Sequence, residues 1–223
     1  MSTYNAYSNR QTEVGGSIPV WLGVVSPIPV GGKLASAFAN PGAFIPAGTP
    51  MELKAGVATP FSGYLVKAYT TASTDSVITV VPFGGAAAPT TSLMLQKVGA
   101  TFGATGKAWN PDAVEVNSED NTAFDITVAT ANIDVVAQGD VIAISSSDAE
   151  GSSKSLKVQP THYLYNDVAI DPLVPGQTAS NVQASVALVN FHGEGILINR
   201  TPASVVKVQM KAAVPNVIQD ERF

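Results

Sequence analysis

Proline recurs at positions 19, 27, 29, 41, 46 and 50, a spacing that leaves no room for a long helix in the first fifty residues. Each proline removes a backbone donor and clashes with the preceding helical turn, so a segment punctuated this often forms short strands and turns. The densest stretch, FIPAGTPMEL (44–53), passes from Pro46 to Pro50 through Gly48. Two fixed φ angles flank a residue free to take positive φ, which predicts a corner opening into a strand. None of its side chains is reactive.

The same reading extends along the chain. Segments 20–25 and 50–53 predict short strands; 63–70 and 77–83, the second rich in β-branched residues, predict longer ones. Residues 33–39 have room for about two turns of helix before Asn40-Pro41-Gly42 stops it. Further strands are predicted at 92–98, 123–136, 140–145, 156–159, 161–170, 181–189, 195–199 and 204–212. Strands at this density, with little helix, specify an all-β chain of small sandwich or barrel-like, β-tulip-like units.

Composition narrows the classes of function. Apolar residues make up 45% of the 223, enough for a packed core, while charged residues make up only 13%, about half the usual quarter. A surface built from Thr, Ser, Asn, Ala and Val suits a protein that lies against other subunits. The net charge is −5 and no three basic residues are consecutive, which argues against a nucleic-acid binder. The chain has no cysteine, so thiol nucleophiles, disulfides and cysteine-held metals are excluded. The polar start, MSTYNAYSNRQTEVGG, has no apolar signal core, and no stretch reaches the roughly 18 apolar residues of a membrane helix. Synthesis in a cytosol, with no membrane partner, is the expectation.

The corner has a counterpart. IPAGTPMEL (45–53) aligns with VAQGDVIAI (136–144), placing Gly48 on Gly139; SGYLVKAYT (62–70) aligns with THYLYNDVA (161–169), and SVITVVPFGG (76–85) with ASVALVNFHG (184–193). The three matches keep their order. The longer gap in the second copy falls in SSSDAEGSSKS (145–155), a polar loop. This predicts two tandem β units, 17–100 and 101–212, arisen by duplication.

Material for catalysis is sparse. The two histidines, His162 and His192, fall at non-equivalent positions of the repeat and read as surface or turn residues. GATGKAW (103–109) has the look of a phosphate loop but carries Thr101 where the first glycine belongs and Ala108 where a magnesium-binding hydroxyl belongs. Asp112, Glu115, Glu119, Asp120 and Asp125 gather in one segment without the ligand order of a calcium loop, and read as a solvated loop. Asn199-Arg200-Thr201 has the form of a glycosylation sequon, read as chance in a chain with no secretory signal. No catalytic, metal or cofactor residue is assigned, and no enzyme activity is expected.

Two terminal segments remain. Residues 1–16 show no strand or helix period and carry Tyr4, Tyr7 and Arg10; they are either a frayed end or an extended arm that orders on a partner through those residues. Residues 213–223, with VPNVIQDERF at their end, either fray or pack on a neighbouring copy.

A prolyl-glycine turn of the kind IPAGTP, followed by a strand, a short loop into GYL (63–65) and a β-branched strand, resembles the small β domain of head decoration proteins of tailed bacteriophages. The polar N-terminal segment with GGSIPVWLGVV (15–25), followed by repeated β units, is similar to auxiliary capsid and head-fibre proteins of such phages. About 40 residues carry the likeness; elsewhere it is one of composition. The resemblance implies a structural virion protein on the outer face of the head, trimeric, binding the major capsid protein and cementing the expanded shell. In that role 1–16 would be the capsid-docking arm. A simple decoration protein has one such unit, whereas this chain reads as two. The rival expectation is a head-fibre or adhesin module binding a receptor or glycan through Trp21, Trp109, Tyr163 and Tyr165. Trp21 lies in an apolar run and reads as core, which leaves Trp109 as that platform's best candidate.

Overall fold

The computed structural model describes residues 20–22, 31–35, 44–169, 185–190 and 192–222. Tyr4, Tyr7 and Arg10, with the whole 1–16 segment, lie outside these residues. The chain is mostly β and builds two curled six-stranded sheets. In spatial order the first holds Ser185–Val186, Gly32–Leu34, Val57–Pro60, Pro50–Lys54, His162–Leu164 and Leu188–Val189. The second holds Leu95–Lys97, Val141–Ile144, Gly63–Thr71, Asp75–Phe83, Phe124–Ala129 and Ala113–Val116. Neighbours are antiparallel except Gly32–Leu34 beside Val57–Pro60. Both sheets take strands from each side of residue 100, so the expected boundary there does not separate the two sheets.

Alternation in the long hairpin shows how sequence becomes packing. In Gly63–Thr71, Tyr64 and Val66 are buried, and in Asp75–Phe83 Ile78 and Val80 are buried. They share one cluster with Leu95, Trp109, Ile126, Val128 and Ile142 on one face of the second sheet. The first sheet has its own cluster of Leu34, Ile45, Met51, Ala58, Leu164 and Leu188 among others. A third cluster lies between, drawing Val141 and Ala143 from the second sheet, Tyr163 and Val189 from the first, and Ala203, Val206 and Met210 from the C-terminal region. The central cluster thus covers part of the second face of each sheet, which explains near-continuous apolar runs such as Val141–Ile144.

Several expectations need correction. Residues 204–212 are not a strand: a 3-10 turn, Pro202–Val206, leads into the one α-helix among the described residues, Lys207–Ala213. Ala203, Val206 and Met210 recur at helical spacing and are fully buried, and Pro202 sits where a helix start tolerates it. In the 33–39 segment read as having room for a short helix, Lys33 and Leu34 belong to a strand, Gly32–Leu34, flanked on both sides and burying Leu34, and 36–39 lie outside the described residues. The strand expected over 123–136 stops at Ala129. Val57–Pro60, Ala113–Val116 and Val217–Asp220 are strands that the pattern did not show. The last lies parallel to His192–Leu197, and Lys207 to Glu221 (2.7 Å) and Arg222 to Asp220 (2.6 Å) hold the tail beyond it. The C-terminal segment is therefore docked on its own chain up to Arg222 rather than frayed.

One core position conflicts with its surroundings. Gln96 is fully buried, and among the described residues neither atom of its amide has a hydrogen-bond partner. A buried amide left unpaired costs free energy that an apolar group of equal volume does not. Gln96→Met should therefore raise stability by about 1 kcal/mol, read as a higher midpoint in urea; a lower midpoint would show that the amide is satisfied in solution.

Candidate functional site

Among the described residues, a polar and aromatic cluster forms where residues 20–22 join the fold. Residues 20–22 run against the strand His192–Leu197: Leu22 N donates to Gly195 O (3.0 Å) and Leu197 N to Val20 O (2.7 Å). Trp21 bridges Ile196 in antiparallel sense, and its indole N–H donates to Tyr165 O at 2.7 Å. Its ring meets Tyr163 edge-on, centroids 6.1 Å apart, and Tyr165 at 6.0 Å and a 43° tilt. The Tyr163 hydroxyl accepts from Gln219 Nε2 at 2.9 Å, and the same nitrogen reaches Lys207 O at 2.9 Å. Burial pushes the Tyr163 phenol up to about 12, against a smaller downward pull from Gln219. It stays protonated at physiological pH, where its ring packs edge-on against Trp21 and its hydroxyl holds Gln219.

This cluster gathers three of the four aromatics expected as a glycan platform but turns them inward. Trp21 and Tyr165 are half-buried and Tyr163 is fully buried. Trp109, the best candidate for an exposed ring, is 1% exposed and lies in the second-sheet cluster. Gln219 gave no signal in the sequence, because its partner Tyr163 is 56 positions away.

The remaining candidates are placed as follows. His162 is not a surface residue: it lies in His162–Leu164 and is 9% exposed, with Nδ1 2.8 Å from the Thr161 hydroxyl. His192 belongs to the strand His192–Leu197 rather than to a turn. In the 103–109 loop, Gly106–Lys107 pairs with Ser153–Lys154. The Lys107 ammonium donates to Ala131 O and its backbone N–H to Asp134 Oδ2 (3.0 Å). These contacts commit the loop to its own chain. Among the carboxylates of 112–125, Asp112 accepts from Ala129 N (2.9 Å), and Asp125, opposite Glu115 in the strand pairing, accepts from the Thr79 hydroxyl (2.6 Å) and the Asn117 amide. Asp120 accepts from the Thr122 hydroxyl and backbone N–H, which hold its carboxyl below the usual range, with Lys67 at 3.3 Å adding less. Among the described residues no three His, Asp or Glu side chains converge as a metal site. Asn199 donates from Nδ2 to Glu221 O (2.8 Å).

His162 carries a pH consequence. Burial lowers its pKa from the ordinary 6.5, so as pH falls the unfolded chain takes up this proton before the folded one does. The stabilisation present above pH 6.5 is then lost progressively down to the lower folded value. Melting temperature should fall more between about pH 7.5 and about pH 5 in the parent than in His162→Gln. Equal slopes in the two chains would remove His162 from the acid response.

Several large apolar side chains face solvent: Phe44, Val116, Val135, Val208 and Ile218 are each more than half exposed, Val135 at 81%. No described helix is long and apolar enough to cross a membrane. No protein-family model matches the chain, and neither does any curated protein or solved structure.

Proposed function

We propose that this chain is a structural, non-enzymatic virion protein that binds the outer face of a bacteriophage head and stabilises the expanded capsid. The observation that carries this reading is the anchored root of the N-terminal segment. Trp21, wedged against Tyr163 and Tyr165 and backed by the strand His192–Leu197, gives the preceding residues a rigid point of departure. Nineteen residues precede Val20, and at roughly 3.3 Å per residue they can span about 60 Å across neighbouring subunits. Tyr4, Tyr7 and Arg10 are the docking residues in this reading. A surface with few charges and scattered exposed valines supports lateral packing, with a homotrimer as the assembly and the major capsid protein as the partner.

Binding only the expanded lattice would stabilise it by mass action, as a ligand stabilises the state it prefers. The protein would be made in the host cytoplasm and end on the capsid surface, built from a duplicated β unit. Removing residues 2–16 should abolish co-sedimentation with expanded capsids while leaving the circular dichroism spectrum and melting temperature of the body unchanged. A truncated chain that still saturates capsids would refute the docking role of the arm.

A further inference from the structure

The strand that follows each glycine corner pairs with the opposite half of the chain. Residues 46–49 close a turn through Thr49 N to Pro46 O (3.3 Å), and 137–140 close the same turn through Asp140 N to Ala137 O (3.0 Å). Both turns use a glycine of positive φ, 77° at Gly48 and 90° at Gly139. Gly48 N then donates to Leu164 O (2.8 Å), and Leu164 N donates back to Thr49 O (2.9 Å). In the other sheet Gly139 N donates to Val66 O (2.9 Å), and Val66 N donates back to Asp140 O (2.9 Å).

The ladders continue in step. Pro50 faces Tyr163 and Met51 faces His162, while Val141 faces Leu65 and Ile142 faces Tyr64. One strand further, Tyr163 faces Val189 and Leu164 faces Leu188, as Leu65 faces Val81 and Val66 faces Val80. The alignment of 76–85 on 184–193 makes the same two equivalences, Val80 with Leu188 and Val81 with Val189. Only the tyrosine–leucine match moves, by one residue, because Leu65 occupies the place of Tyr163.

Burial follows these pairs. Met51, Leu164 and Leu188 share the cluster of the first sheet, and their counterparts Ile142, Val66 and Val80 share that of the second. Tyr163, Val189 and Leu65 contribute to the cluster between the sheets. A slip of one residue in either ladder would exchange its buried and outward faces, so the two corners share a register as well as a burial pattern. The outer strands share the register as well: Met51 faces Pro60 as Ile142 faces Lys97. Both outer strands come from the first half of the chain, so the exchange concerns the inner strands.

We infer that the two halves form an internal repeat locked by reciprocal strand exchange. Each half sends the strand after its glycine corner into one sheet and a later strand pair, Gly63–Thr71 with Asp75–Phe83 or His162–Leu164 with Leu188–Val189, into the other, so neither sheet opens alone. This device is independent of the capsid reading and would serve any role that loads the molecule mechanically.

The test uses the full chain with a protease site inserted between the exposed Gly103 and the half-buried Ala104, in the connection between the halves. After cleavage under native conditions the two fragments should co-elute from a sizing column and separate only in denaturant. Fragments that come apart without denaturant would overturn the interlock. In the uncut chain, Ile142→Val in the second sheet should speed amide exchange at Gly48 and Leu164 in the first sheet as much as at Gly139 and Val66. The expected acceleration is about 2- to 12-fold in both sheets. Acceleration confined to the second sheet would overturn the inference equally.

Discussion

Gly48→Ala should lower stability by about 2–5 kcal/mol, a large loss for one methyl group, whereas Gly139→Ala should cost only about 1–2 kcal/mol. The two glycines occupy equivalent corners and both have positive φ, 77° and 90°, so the conformational penalty for a side chain is shared. Their surroundings differ. A Cβ on Gly48 would lie 2.5 Å from Thr201 Cγ2 and 2.8 Å from its Cβ, while one on Gly139 meets nothing within 4 Å. Thr201 cannot turn away without loss, because it is 5% exposed and its hydroxyl donates to Ile198 O at 2.8 Å. Urea unfolding of the two variants separates the terms: the difference between them is the packing term alone. Equal losses would mean that the 198–201 turn yields at little cost.

Truncating Trp109 to alanine should cost about 3–5 kcal/mol, a large share of the roughly 5–15 kcal/mol that holds a domain together. Trp109 is 1% exposed and packs among Tyr64, Ile78, Leu95, Ile126 and Ile142. Its backbone exchanges two hydrogen bonds with Leu95, at 2.8 and 2.9 Å, which fix where the ring enters the cluster. Collapse of the neighbours would refill only some of the volume, because they belong to strands already held by the ladders of the second sheet. The measurement is the same denaturant series, combined with iodide quenching in a Trp21→Phe background. Trp109 emission should resist quenching; ready quenching would restore it as an exposed ring fit for a glycan platform.

The strands legible in the sequence are those with strong local signals. Gly63–Thr71 and Asp75–Phe83 were outlined nearly to the residue, because β-branched side chains and alternation coincide there. Ala113–Val116 is an edge strand with little buried surface of its own, and its pattern resembles a loop until Phe124–Ala129 pairs with it. The helix Lys207–Ala213 was misread because valines at 205, 206 and 208 mimic a strand. Burial of Val206 and Met210 against the central cluster overrides that propensity. His162 was placed in its strand correctly but on the wrong side of the surface, since burial there depends on Met51, 111 positions earlier.

FIPAGTPMEL shows where the division lies. Its corner follows from covalent geometry, with proline fixing φ and glycine permitting the positive value, so local sequence is sufficient to specify it. Which strand lies beside the corner is not a local property. Leu164 meets Gly48, and Val66 meets Gly139, only because two distant segments complete ladders and bury complementary faces at once. The all-β class and the turns were therefore written in residue order, whereas the crossing of the halves, the inward turn of Trp109 and the docking of the C-terminus arose from packing between segments that no short window contains.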